Sequence, residues 1–193
     1  MKILFRNELG KLVRYDGAIE VLGQGNVIRN NHVEGHHVTT AGTYDYIRFI
    51  DTDGSIKMLP RLTAYNLVDS YLKPGFTGAL YVFEPEDKKE RGAVLAMVSN
   101  GRRADDIADF IVSMQASAAT IKRLKRAAYA GLLLGVVTMF FVIGYFILFY
   151  AFLTLYRINK VKRKLNMVPS AEELRSIIES DTRQLYGEPI AQQ

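Results

Sequence analysis

Along this chain of 193 residues the spacing of apolar positions changes twice. Up to about Asn100 apolar and polar residues alternate in short runs, from Ile107 apolar residues recur every three or four positions, and from Ala127 to Tyr156 charged residues disappear. A period of two marks half-buried strands, because successive side chains of an extended chain point to opposite faces. "KILFRNELGKLVRYDG" accordingly predicts two short strands about an Asn-Glu-Leu-Gly turn, and "TYDYIRFIDTDGSIKML" a hairpin about Asp51-Thr52-Asp53-Gly54. "GFTGALYVFE" and "RGAVLAMVSN" predict a third pair across a charged loop. In "RLTAYNLVDSYLKPG", Leu62, Tyr65, Val68 and Leu72 fall at helical spacing, with Pro74-Gly75 as a stop. The expectation for residues 1–101 is a small, mainly-β soluble domain, a barrel or sandwich carrying one helix.

The later pattern is helical. Ile107, Phe110, Met114, Ser117, Ile121 and Leu124 form a 3-4 stripe, and Asp105, Asp106 and Asp109 stand at its start, where the helix dipole favours acids. A stalk is expected over residues 102–126, with Ile107, Phe110, Met114, Ile121 and Leu124 as its interface, either on the β domain or on a second copy. The run 127–156 exceeds the roughly 20 residues of one bilayer crossing and lacks the length and turn signals for two. It predicts a single transmembrane helix, which makes the fold class an α+β membrane protein. A hydrophobic hairpin bending near Gly144, with both ends on one side, would carry the same basic flanks. "GLLLG" places Gly131 and Gly135 four apart, and with Ala127 and Thr138 they make a small-residue face for self-association. Residues 157–193 predict a basic juxtamembrane helix and a tail helix, the latter opened by the capping pair Ser170 and Glu173.

Charge sharpens this picture. The formal net charge is +5, yet no acidic residue lies between Asp109 and Glu172. That interval holds Lys122, Arg123, Lys125, Arg126, Arg157, Lys160, Lys162, Arg163 and Lys164, so the rest of the chain is net acidic. Bases clustered beside an apolar run suit anionic lipid headgroups, at about 1 kcal/mol each near such a surface, better than they suit nucleic acid. The expected partners are a bilayer with anionic headgroups, a second copy and a protein not identifiable from sequence, with no nucleic acid. "MKILFRNELG" lacks the apolar core and cleavage site of a secretory signal, so the domain ahead of the span is expected to be cytoplasmic.

Candidate chemistry is sparse. There is no cysteine, and all three histidines lie in "HVEGHH". On a strand His32, Glu34 and His36 would share a face and offer zinc donors, although Gly35 suits a turn and the three would splay along the strand. Asp51-Thr52-Asp53-Gly54 lacks the closing glutamate of a calcium loop, and no nucleophile elbow or phosphate loop is present. No cofactor is expected. The chain therefore predicts a non-enzymatic, membrane-anchored interaction or scaffold protein whose β domain binds a protein partner. The alternative is a membrane-bound metal enzyme using the histidine cluster.

Overall fold

The computed structural model describes residues 1–23, 25, 27–30, 39–87, 89–100, 102–137, 142–165, 167 and 169–186; for residues 27–30, 39–40, 115–122, 134–137, 142–144 and 160–165 it describes the backbone alone. Among the described residues eight strands and four α-helices follow in the order β1 (Lys2–Asn7), β2 (Gly10–Leu22), β3 (Val27–Asn30), β4 (Thr39–Asp51), β5 (Ile56–Tyr65), α1 (Asn66–Tyr71), β6 (Thr77–Pro85), β7 (Gly92–Ser99), β8 (Arg102–Asp105), α2 (Ile107–Val137), α3 (Val142–Leu165) and α4 (Ala171–Tyr186). Two units result. One comprises residues 1–111 and 169–193, and the other residues 112–168.

The first unit is built on a closed barrel. Pairing runs β2-β6-β7-β5-β4, and β4 returns to β2 through Gly17–Leu22 against Ile47–Asp51. All these pairs are antiparallel except β5 with β7. The first long strand closes the circle because it pairs with β6 up to Ala18 and with β4 from Gly17 onward, so that Gly17 faces Asp51 on one side and Gly78 on the other. A Cβ at Gly17 would stand 1.9 Å from the Ile50 carbonyl oxygen, so only glycine lets three backbones meet there. Alternation sends Val13, Tyr15, Ile19, Ile47, Phe49, Leu80, Val82 and Val94 into the interior, and α1 adds Val68 and Leu72 to the same cluster. The outward face of β6 is also covered: the Phe83 ring lies 5.4 Å from that of Phe110 at the start of α2, and Tyr81 meets α4.

The Asn7 and Asp51–Gly54 turns form as the sequence implies. Asn7 Oδ1 accepts the Leu9 and Gly10 amides, and Gly54, at φ 80°, closes the hairpin by donating to the Asp51 carbonyl. The expected helix around residues 61–75 is shorter. Leu62, Ala64 and Tyr65 are buried on β5, which pairs with β4 along its whole length, and α1 begins only at Asn66. Likewise β8 occupies the start of the expected stalk, and the helix follows at Ile107.

The expected single transmembrane helix, and with it the integral single-pass location, is overturned. Among the described residues no helix is long and apolar enough to cross a membrane. The apolar run is shared between two helices: α2 holds it only from Ala127 to Val137, behind the charged turn Arg123–Arg126, and α3 only from Val142 to Tyr156, ahead of Arg157. Neither share reaches the roughly 20 residues that a crossing takes. Chain connectivity agrees, since the chain leaves the barrel unit after Ile111 and rejoins it at Pro169. The tail helix α4 lies against β1, with Lys2 Nζ donating to Asp181 Oδ1 at 2.6 Å. A tail bonded to the first strand cannot stand across a membrane from it.

Candidate functional site

The second unit carries the most unusual surface. On α3, Tyr145, Phe146, Phe149, Tyr150, Phe152 and Tyr156 are each between 62 and 75 % exposed, and Leu153 joins them. At about 100° per residue these seven span an arc of about 160°. On the opposite side Ala151 and Ile158 are buried. A helix in water arranges itself the other way, with its large apolar residues inward. Here the bulky aromatics face out, while Ala151 and Ile158 face in.

What Ala151 faces is the neighbouring helix. A Cβ added at Gly131 of α2 would stand 3.7 Å from the Ala151 Cβ of α3, an ordinary van der Waals separation, and Ala128, one turn earlier, is buried. Small residues let two backbones approach closely, and so they mark helix contacts in apolar surroundings. Gly131 thus meets another helix of its own chain. Ala127, expected on the same face, is exposed; the side-chain environment of Gly135 and the whole of Thr138 lie outside the described residues. Tyr129 and Leu133 add exposed apolar surface on α2.

Of the expected headgroup contacts, Arg123, Arg126 and Arg157 are exposed and Lys125 is half-buried, its ammonium 5.7 Å from the centre of the Tyr129 ring. Side chains of Lys122, Lys160, Lys162, Arg163 and Lys164 fall outside the description. The stalk stripe divides. Ile107 and Phe110 are buried in the barrel unit, Met114 is half-buried, Leu124 is exposed, and the Ile121 side chain is not described. His32, Glu34 and His36 lie outside the described residues, among which no three His, Asp or Glu side chains form a metal-binding group.

Two charged clusters in the barrel unit were not anticipated. Asp181 on α4 is buried and accepts from Lys2 Nζ at 2.6 Å, Arg14 Nη1 at 2.7 Å and Tyr81 at 3.2 Å, while Arg14 Nε also donates to Asp16 at 3.0 Å. Burial alone would raise the Asp181 carboxyl, but the Lys2 and Arg14 donors outweigh it and hold the group below its ordinary value. Burial beside this acid pushes Tyr81 up to about 12. The sequence signal was available: Leu174, Ile178 and Asp181 share one face of α4, and an acid on an apolar face needs partners.

The second cluster joins two helices. Tyr65, the residue ahead of α1, provides no side-chain cap, and the buried amide of Val68 donates instead to Asp106 Oδ2 at 2.6 Å. Asp106 immediately precedes α2, so one carboxylate caps α1 from outside while its own carbonyl accepts from Phe110. Burial, then the proximity of Asp109 and Asp105, pushes this carboxyl up to about 6, against the pull of the Val68 and Leu67 amides. Elsewhere the Lys57 ammonium and the Thr52 amide hold Asp51 down at about 2, which makes it a structural anion of the β4–β5 turn. On the barrel a groove of about 600 Å³ opens between β1 and β5, floored by Leu59, Leu62 and Val82, with Ile3 and Met58 exposed at its lips. Lys11 and Glu84 pair across its edge at 2.9 Å.

No protein-family model, no curated protein and no solved structure matches this chain.

Proposed function

We propose that this chain is a non-catalytic interaction protein that adsorbs to the surface of an anionic lipid bilayer through the exposed apolar side of α2 and α3, and presents its barrel to a protein partner. The observation that carries the proposal is the inverted surface of α3, whose aromatics face outward over about 160° while Ala151 faces α2. A contiguous apolar face of that size is rare on a protein surrounded by water. Full burial of one such side chain is worth about 1.5–3 kcal/mol, so six or seven partly buried ones supply enough for stable adsorption. Charge selects lipid as the occupant. Exposed Arg123, Arg126 and Arg157 flank the apolar part, with no acid in the sequence from Ile111 to Ala171 to offset them. On the barrel, the groove with Ile3 and Met58 at its lips offers the partner surface.

The chain has no tryptophan, so Phe149→Trp introduces a single reporter on the exposed face. With vesicles containing phosphatidylglycerol, its emission should shift to the blue and become protected from aqueous iodide, while brominated acyl chains quench it. Purely zwitterionic vesicles should bind at least tenfold more weakly. Unchanged emission with anionic vesicles overturns the proposal. So does a blue shift that depends on protein concentration alone, which would make a second copy the occupant of this face.

A further inference from the structure

A second opening in the barrel unit has a different chemistry. Between α1 and the β7–β8 turn lies a cavity of about 520 Å³, within the usual size of small-molecule sites. Its floor is Met97, Phe76, Leu67 and Ala104, and its rim carries Tyr71, Lys73, Ser99 and Arg102. No carboxylate lines it. Strand register explains which cation serves it. Met97 stands opposite Ala104, and Ser99 opposite Arg102, so these four share one face of the β7–β8 ribbon. Arg103 also borders the cavity, but it is buried and already paired, its Nε 3.0 Å from Asp105. Among the described residues neither Lys73 nor Arg102 is engaged in an ion pair, unlike Arg14, Arg48, Arg91 and Lys57 of the same unit.

We infer that this cavity binds a small organic anion, a phosphate or carboxylate head held between Lys73 and Arg102 with an apolar body laid on Phe76 and Met97. An apolar floor with a few convergent polar groups is the ordinary construction of a ligand site. Arginine adds a planar fork suited to an oxyanion, and lysine a mobile point charge. Tyr71, partly exposed at the rim, offers a ring edge to an aromatic body. The inference is independent of lipid binding by the hairpin.

Phenyl phosphate and hexyl phosphate are the probes, titrated calorimetrically into the full chain beside inorganic phosphate and phenol. At least one of the two organic phosphates should bind saturably and at least tenfold tighter than inorganic phosphate or phenol, and the stronger of the pair tells whether the floor prefers an aromatic or an aliphatic body. Arg102→Gln and Lys73→Gln should each weaken it about tenfold. Both side chains are exposed, so circular dichroism should confirm an intact fold, and Lys89→Gln, exposed and outside the cavity lining, controls for loss of charge. Equal affinity for inorganic and organic phosphate, absence of binding, or unchanged affinity in Arg102→Gln overturns the inference.

Discussion

Replacing Asp181 by asparagine tests the return of the chain to its own barrel. The carboxylate is buried and meets Lys2, Arg14 and Tyr81, residues of β1, β2 and β6. Removing one member of a buried ion pair costs about 3–5 kcal/mol when the remaining charge is stranded. Here two features reduce that figure. Lys2 is about half exposed and rehydrates, and Arg14 keeps its bond to Asp16 at 3.0 Å. The expected loss is therefore about 2 kcal/mol, within the span of hydrogen bonds made to charged groups. Because the folded carboxyl lies below its ordinary value, its stabilisation is present above the unfolded value of about 3.9 and fades as pH falls through the lower folded value. Urea unfolding at pH 7 should show the loss, and the difference between variant and parent should shrink as pH falls below the unfolded value of about 3.9. Amide exchange should locate the change in α4 and β1. A second variant, Arg14→Met, should couple to Asp181→Asn in a double-mutant cycle by at least about 0.5 kcal/mol. A loss under about 0.5 kcal/mol, with α4 protection unchanged, would refute the assignment of Asp181 as the clasp.

Two further measurements bear on the folding of the chain around the hairpin. Asp106 is raised to about 6 in the fold, so its contribution is fully present below the unfolded value and is lost as pH climbs through 6; from the shift this amounts to about 2 kcal/mol between pH 4 and pH 7. Asp106→Asn keeps an acceptor for the Val68 amide and should flatten the dependence of the urea midpoint over that interval, and an unchanged slope would exclude Asp106 as its source. Ser55 and Ser180 are both exposed in the barrel unit, so single cysteines there should react with an impermeant maleimide from the same side of a vesicle-bound preparation, and protection of one alone would restore a crossing.

The barrel was legible because its strands alternate and its turns use Gly and Asn for specific backbone reasons. What alternation cannot supply is closure, which depends on Gly17 meeting β4 and β6 at one point. The segment from Leu62 to Leu72 misled for a different cause. Leu62 and Tyr65 satisfy a helical spacing, while Leu62 and Ala64 satisfy a strand's, and pairing with β4 and β7 decided for the strand. Asp181 and Asp106 were visible only as acids near apolar positions. Their partners lie 167 and 38 residues away in sequence, a separation no local pattern spans.

The apolar run shows how two correct local observations combined into a wrong topology. Its length argued for a crossing, and its glycines argued for helix contact. Length alone does not say whether a chain continues or turns back, and residues 138–141 contain neither proline nor glycine. The helical wheel did contain the answer. From Tyr145 to Tyr156 every aromatic falls on one side of α3, and Ala151 falls on the other. A helix surrounded evenly by lipid has no reason to reserve one side for its smallest residue, whereas a helix with a close neighbour does. Gly131 of α2 supplies that neighbour within the same chain. The turn back also changes what the flanking charges do. In a crossing, Arg123, Lys125 and Arg126 would meet one face of a bilayer and Arg157 the other. With α2 and α3 side by side, and both chain ends returning to one unit, the proposed seating puts all four at one surface. At about 1 kcal/mol for each base near an anionic surface, their effects then add, which makes lipid charge the selective element of the proposed binding.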